Sequence, residues 1–217
     1  MLFFKKNNYE KYNTKSKFRN ARIWSNKELL KFSSLFNGKI INVSAGDNID
    51  KEGRTYDDYF NNADEFWISN YAPGSYRGYK NRNNELLIDL EKKIDKGLIN
   101  SFDVVFNHTT LEHIFYIFDA FKNLSLLTKD ILIIVVPFLQ EQHDVDGYND
   151  YWRFSPKSLH RLFEINKITI LYESINNDFN SANYIFIIGS KKPEKWKMQF
   201  PKYSSIKNAG KWIGKIK

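Results

Sequence analysis

The sequence predicts an α/β fold, a doubly wound and mostly parallel sheet with an antiparallel hairpin at one edge. Three observations predict it. Phe102–Phe106 and Ile131–Val136 are short apolar runs, the second dominated by β-branched residues, as strands buried on both faces are. Between them Leu111, Ile114, Phe115, Phe118, Phe121 and Leu124 recur at helical spacing, which makes a strand–helix–strand unit with a right-handed crossover. Lys167–Glu173 and Tyr184–Gly189 then form two late strands around an Asn-rich turn, the pattern of an edge hairpin.

In chain order, residues 1–24 read as a basic N-terminal arm, 25–190 as the α/β domain, and 191–217 as a basic, aromatic extension. Ser25–Phe36 is the first expected helix, with Ser25 as cap, Glu28 three residues on, and Asn37-Gly38 as its stop. Lys39–Ser44 is the first strand, broken by Gly46-Asp47-Asn48. Tyr56–Phe60 is a candidate short helix, Glu65–Ser69 a second strand, Glu85–Leu90 a third, and Glu91–Lys96 a polar helix. Thr109-x-x-Glu112 fits a capping box at the start of the central helix. A long acidic and aromatic loop, Leu139–Phe154, leads to a helix capped by Ser155 with Pro156 at its first position.

Composition narrows the chemistry. There is no cysteine, which excludes disulfides, thiolate catalysis and cysteine-ligated zinc. The net charge of +8 sits at the ends. Seven basic residues face Glu10 within 1–22 and nine lysines face Glu194 within 191–217, so the middle of the chain is net acidic. That middle would repel phosphates, which makes nucleic acid an unlikely partner. The apolar start is too short for a signal peptide and no apolar run has membrane-spanning length, so a cytoplasmic protein is expected. Lysines interleaved with Trp196, Phe200, Tyr203, Trp212 and Ile213 would suit a peripheral contact with the inner membrane face, or a tail docked on its own domain.

The series KIINVSAGDN, EFWISN, LLIDL, SFDVVFNHTTLEHI, DILIIVVPF and HDVDGYNDYWRFSPKSLHRLFE, over residues 38–190, resembles the class I S-adenosylmethionine-dependent methyltransferases. It is most similar to small ones encoded among bacterial surface-polysaccharide genes. The resemblance implies a Rossmann-like sheet of seven strands with the last antiparallel, and S-adenosylmethionine as cofactor. It places Asn42, Ser44, Ala45 and Gly46 under the methionine part of the cofactor, with Asn42 at a usually acidic position and Ser44 at a usual glycine. Asn70 stands near the residue that accepts the ribose hydroxyls. Asp89, with Leu90, faces the adenine, and Asn107 and His108 end the fourth strand beside the cofactor.

Methyl transfer needs an aligned nucleophile and, for a hydroxyl, a base, most often histidine. His143, in the loop after the fifth strand, and His113 are the candidates, with Arg153 beside them. Tyr151, Trp152 and Arg153 suit an acceptor: aromatic faces for a sugar, a guanidinium for a phosphate or carboxylate. Gln140, Glu141, His143, Asp144, Asp146 and Asp150 could ligate a cation, but a solvated acidic loop is the simpler reading, and no metal site is assigned. The expected activity is methyl transfer to a hydroxyl or amine of a small acceptor, a sugar or surface-glycan precursor. The rival expectation is a non-catalytic scaffold of the same fold that has lost cofactor binding.

Overall fold

The computed structural model describes residues 14–72, 78–144 and 149–210. Seven strands, β1 (Gly38–Val43), β2 (Ala63–Asn70), β3 (Glu85–Leu87), β4 (Phe102–His108), β5 (Thr128–Leu139), β6 (Thr169–Ile175) and β7 (Asn183–Ser190), form one sheet. Its order is β3-β2-β1-β4-β5-β7-β6. The first five strands pair in parallel, and β7 runs antiparallel to both β5 and β6. The doubly wound sheet with its edge hairpin is therefore present. The order reverses between β1 and β4, and in such sheets the crevice at the strands' carboxyl ends is where ligands bind.

The central strands carry apolar residues on both faces because both faces are covered. Ile41, Val43, Val105, Leu132, Ile134 and Ile187 pack beneath α2 (Ile117–Leu127) and α3 (Pro156–Ile165). Ile40, Val104, Phe106, Ile133, Val135, Phe186 and Ile188 pack beneath α1 (Thr14–Leu30) and the segment around Tyr56, Tyr59 and Phe60. Ser155 caps α3 through Ser158 N, with Pro156 opening the helix. In α2, Ile117, Ala120, Phe121, Leu124 and Leu127 are buried at helical spacing.

Several expectations are corrected. The first helix starts at Thr14 rather than Ser25, so Ser25 lies within it and donates to the Arg22 carbonyl one turn back. The central helix starts at Ile117; a short 3-10 turn, Leu111–His113, precedes it. Thr109 adopts a left-handed φ of 50° and Thr110 makes no side-chain cap bond, so the capping box does not form. Phe115 and Phe118 fall off the buried stripe, at 54% and 68% exposure. β3 ends at Leu87, residues 91–95 are not helical, and Tyr56–Phe60 is a series of turns.

The C-terminal segment docks on its own domain. Phe200 stacks on Phe32 with ring centroids 4.9 Å apart, and Trp196 packs edge-on to Phe36 at 5.6 Å. Trp196 Nε1 donates to Asp130 and Tyr203 donates to Glu173. Trp212 and Ile213, which the membrane expectation also used, lie outside the described residues, as does Asp146. Among the described residues no helix is long and apolar enough to cross a membrane.

Candidate functional site

A cavity of about 740 Å³ opens at the carboxyl ends of β1, β2 and β4. That size suits a cofactor-scale ligand with a small second molecule. Its lining includes the β1 turn, Asn42, Ser44, Ala45 and Gly46, together with Asn70, Asp89 and Leu90. It also includes His108, His113, Gln140, His143 and Tyr151. Arg22, Tyr56 and Tyr184 line it as well.

The β1 turn is tightly coiled. Ser44, Gly46 and Asn48 have φ of 61°, 59° and 59°, all left-handed, which is strained for Ser44. Hydrogen bonds over-determine this shape. Ala45 N donates to Ser69 O, Asn48 N to Ala45 O, and Asn42 Nδ2 to Asn48 Oδ1. Asn70 clamps the turn from β2: Oδ1 accepts from Gly46 N at 2.7 Å, and Nδ2 donates to Gly46 O at 2.9 Å and to Glu85 Oε1 at 2.6 Å. Asn70 thus lies in the cavity wall, but its amide is used to hold the loop. Asp89 is half-buried, accepts from Glu91 N, and pairs with Lys92 at 3.3 Å. Asn107 is fully buried, is not part of the cavity lining, and ties β4 to β1 by donating to Val43 O.

His108 ends β4 and meets Ser25 Oγ at 2.8 Å through Nε2. Burial, and then the Arg22 charge, hold its pKa well below the usual histidine range, so it is neutral at pH 7. His113 Nδ1 faces Asn149 O at 2.8 Å; a carbonyl only accepts, so this nitrogen carries the proton. Burial is the main cause of the lowered His113 pKa.

His143 and Asp150 form a dyad, with Nδ1 3.0 Å from Oδ2. The carboxylate only accepts, so this contact is made with a proton on Nδ1; the Gln140 amide nitrogen lies 2.8 Å from Nδ1 and 3.2 Å from Nε2. Arg153 holds Asp150 with both terminal nitrogens and also donates to the carbonyls of Gln140, Glu141 and Trp152. Burial works to raise the Asp150 pKa, but the Arg153 bonds and the His143 N–H outweigh it and hold it at about 2. Arg153 is therefore spent on Asp150 and the loop backbone, and it does not line the cavity. His113 and His143 meet edge to face at 5.0 Å.

Trp152 also points away from the cavity. Its Nε1 donates to Ile114 O, and the ring packs against the α2–α3 core. Tyr151 stays on the rim, 44% exposed, beside Phe115 at 5.3 Å. The backbone N–H groups of Tyr151 and Trp152 both donate to Glu112 O, which closes the loop against the β4–α2 connection. Glu112 itself is buried with Oε2 unpartnered, and burial pushes its carboxyl up to about 8. No group of histidine, aspartate and glutamate side chains suited to a metal occurs among the described residues.

Four features of the cavity and its surroundings are not legible from local sequence: Arg22, Tyr56 and Tyr184 in the lining, and the buried state of Glu112. A signal existed for the first. Ala21, Ser25, Glu28, Leu29 and Phe32 recur at helical spacing across the assumed arm boundary, and all are buried.

Comparison with solved structures agrees with this architecture. Magnesium protoporphyrin IX methyltransferase of Synechocystis, solved with S-adenosylmethionine bound, superposes with a TM-score of 0.52 at 11% identity, over 87% of this chain and 86% of that one. An S-adenosylmethionine-dependent methyltransferase of Clostridium acetobutylicum matches with a TM-score of 0.51 at 9% identity, over 81% and 91%. The YcgJ protein of Bacillus subtilis matches with a TM-score of 0.53 at 11% identity, over 78% and 98%. The chain has the Rossmann-like methyltransferase fold. No protein-family model matches it, and no curated protein sequence matches it significantly.

Proposed function

We propose that the chain is an S-adenosylmethionine-dependent methyltransferase acting on a hydroxyl or amine of a small acceptor, a sugar or surface-glycan precursor. The observation that carries the reading is one cavity that gathers two dissimilar sets of residues. The left-handed turn at Ser44–Gly46 and the half-buried Asp89 carboxylate share it with a histidine held by a carboxylate. The donor set fits the cofactor. Backbone at a tight turn admits close approach, and Asp89 can accept from an adenine amino group. Asn42, Ser44, Ala45, Gly46, Asp89, Leu90 and His108 would hold it, with Asn70 keeping the turn in shape.

When bound, the cofactor supplies an electrophilic methyl group. The chain's residues do the rest. His143 Nε2 takes the acceptor proton, and Asp150 orients the ring and stabilises the imidazolium that forms. Arg153 fixes Asp150, and Tyr151 offers an aromatic face to a sugar. Calorimetric titration is the test. Micromolar binding of S-adenosylmethionine is expected; no heat and no thermal shift at millimolar cofactor would sink the reading. His143→Ala should lower turnover on the true acceptor by about 10²–10⁴-fold.

The second reading, a non-catalytic relative, is favoured by one observation. The Asn70 amide is committed to Gly46 and Glu85, leaving it less to offer a ribose. The same titration separates the two.

A further inference from the structure

We propose that Arg22 anchors a negatively charged group, a carboxylate or a phosphate, carried by the acceptor. This rests on the methyl-transfer reading and adds the acceptor's charge to it.

Arg22 sits on α1 one turn before Ser25. Because Ser25 Oγ meets His108 Nε2 at 2.8 Å, α1 is pinned across the end of β4, and Arg22 joins the cavity wall beside Tyr56, His108 and Tyr184. It is half-buried, and among the described residues no carboxylate lies within ion-pair distance of it. Of the acids that line the cavity, Asp47 pairs with Lys80 and Arg82, Asp89 with Lys92, Glu91 accepts from Tyr116 N, and Asp50 is committed as well. Its Oδ1 accepts from Glu52 N and Arg54 N, and its Oδ2 from Asn26 and Tyr59. Glu112, which feels the Arg22 charge, is protonated at neutral pH because of its burial. The phenols of Tyr56 and Tyr184 also keep their protons; burial raises both.

A guanidinium partly removed from water and left without a counter-charge is costly. Its planar fork is matched by the oxygens of a carboxylate or phosphate. The position favours the acceptor over the cofactor. Tyr184, second in β7 and paired with Pro137 of β5, and Glu112, whose carbonyl takes the N–H groups of Tyr151 and Trp152, both feel the charges of Arg22 and Arg153, which puts Arg22 toward the loop that carries His143.

The test uses the full chain saturated with S-adenosylhomocysteine and titrated calorimetrically with D-glucuronate, glucose 1-phosphate and, as the neutral control, glucose. At least one anion should bind ten-fold or more tightly than glucose, and which of the two does so identifies the anion. Arg22→Ala should remove that preference, while Arg22→Lys, which keeps the charge without the fork, should retain part of it. Arg22→Lys keeps the test open if the alanine variant does not fold. Equal binding by wild type and Arg22→Ala, or no anion binding to the wild type, overturns the proposal. So does an Arg22→Ala defect for S-adenosylhomocysteine that is absent for 5′-methylthioadenosine, since Arg22 would then serve the cofactor's own carboxylate. Failure of the methyl-transfer reading shows separately, as no S-adenosylhomocysteine binding before any anion is added.

Discussion

Replacing Glu112 by glutamine should flatten the dependence of stability on pH. In the folded chain burial holds this carboxyl at about 8, against 4.5 for the unperturbed group. Between those values the native state keeps a proton that the unfolded state has released, so stability falls as pH rises, by about 1.4 kcal/mol per pH unit. Comparison with the variant isolates the effect. Burial lowers the His108 and His113 pKa values, and these add a slope of opposite sign that fades as pH rises past the usual histidine value of 6.5, in both proteins alike. From pH 6.5 to 7.5 the wild type should lose about 1.2 kcal/mol relative to Glu112→Gln, or roughly 0.4–0.6 M in urea midpoint at a slope of about 2–3 kcal/mol per M. Glu112→Gln keeps the shape of the neutral acid and should show no such loss. Urea unfolding followed by tryptophan fluorescence at several pH values reads this directly. A wild-type midpoint flat across the window, or an equal slope in the variant, would refute the assignment of a protonated, buried Glu112.

Three further outcomes are expected. Asn70→Ala strips Gly46 N, Gly46 O and Glu85 of buried partners; unfolding should become easier by about 2–3 kcal/mol, with weaker cofactor binding, measured by denaturation and calorimetry. Gly189→Ala would put a Cβ 2.5 Å from Phe163 Cε1 and 2.7 Å from Ile168 Cγ2, so a loss of about 1–3 kcal/mol in the same denaturation assay is expected without change in cofactor affinity. Asp150→Asn should cost about 2 kcal/mol at pH 7, because this carboxylate's contribution is complete above 3.8 and is lost as pH falls to about 2; combined with His143→Ala it should lower turnover little further than either change alone, as residues acting as a unit do.

The parts of the fold legible in the sequence are those specified locally. β4 and β5 announce themselves because strands covered on both faces must be apolar throughout, and the Ser155-Pro156 start of α3 carries its cap in adjacent residues. Ser25 misleads for the same reason. Serine before an apolar stretch is a cap by local rules, yet its hydroxyl is spent on His108, which only the folded chain brings near. Thr109-x-x-Glu112 has the spacing of a capping box, but the left-handed Thr109 turns the chain away from a helix and sends Glu112 into the interior. The site divides likewise. The β1 turn, Asp89, His113 and His143 are readable from motif and loop position. Arg22 and Tyr184 meet only because α1 crosses the sheet, and the commitment of Arg153 to Asp150 depends on how the loop closes.

The face of the sheet beneath α1 is sealed by both ends of the chain. Leu29 and Phe32 near the start share a cluster with Phe186, Ile188 and Phe200 near the finish, and Tyr172 donates to Glu28 across 144 residues. During synthesis, α1 therefore emerges long before the strands and tail residues that shield it, and the early strands must wait with one flank uncovered. Closure of such distant contacts carries a large loop-entropy cost, so the final docking of α1 is expected late in folding. A fragment ending before Lys191 would lack the rings that stack on Phe32 and Phe36. Synthesis past Phe200, more than the appearance of any single element, sets when α1 can dock.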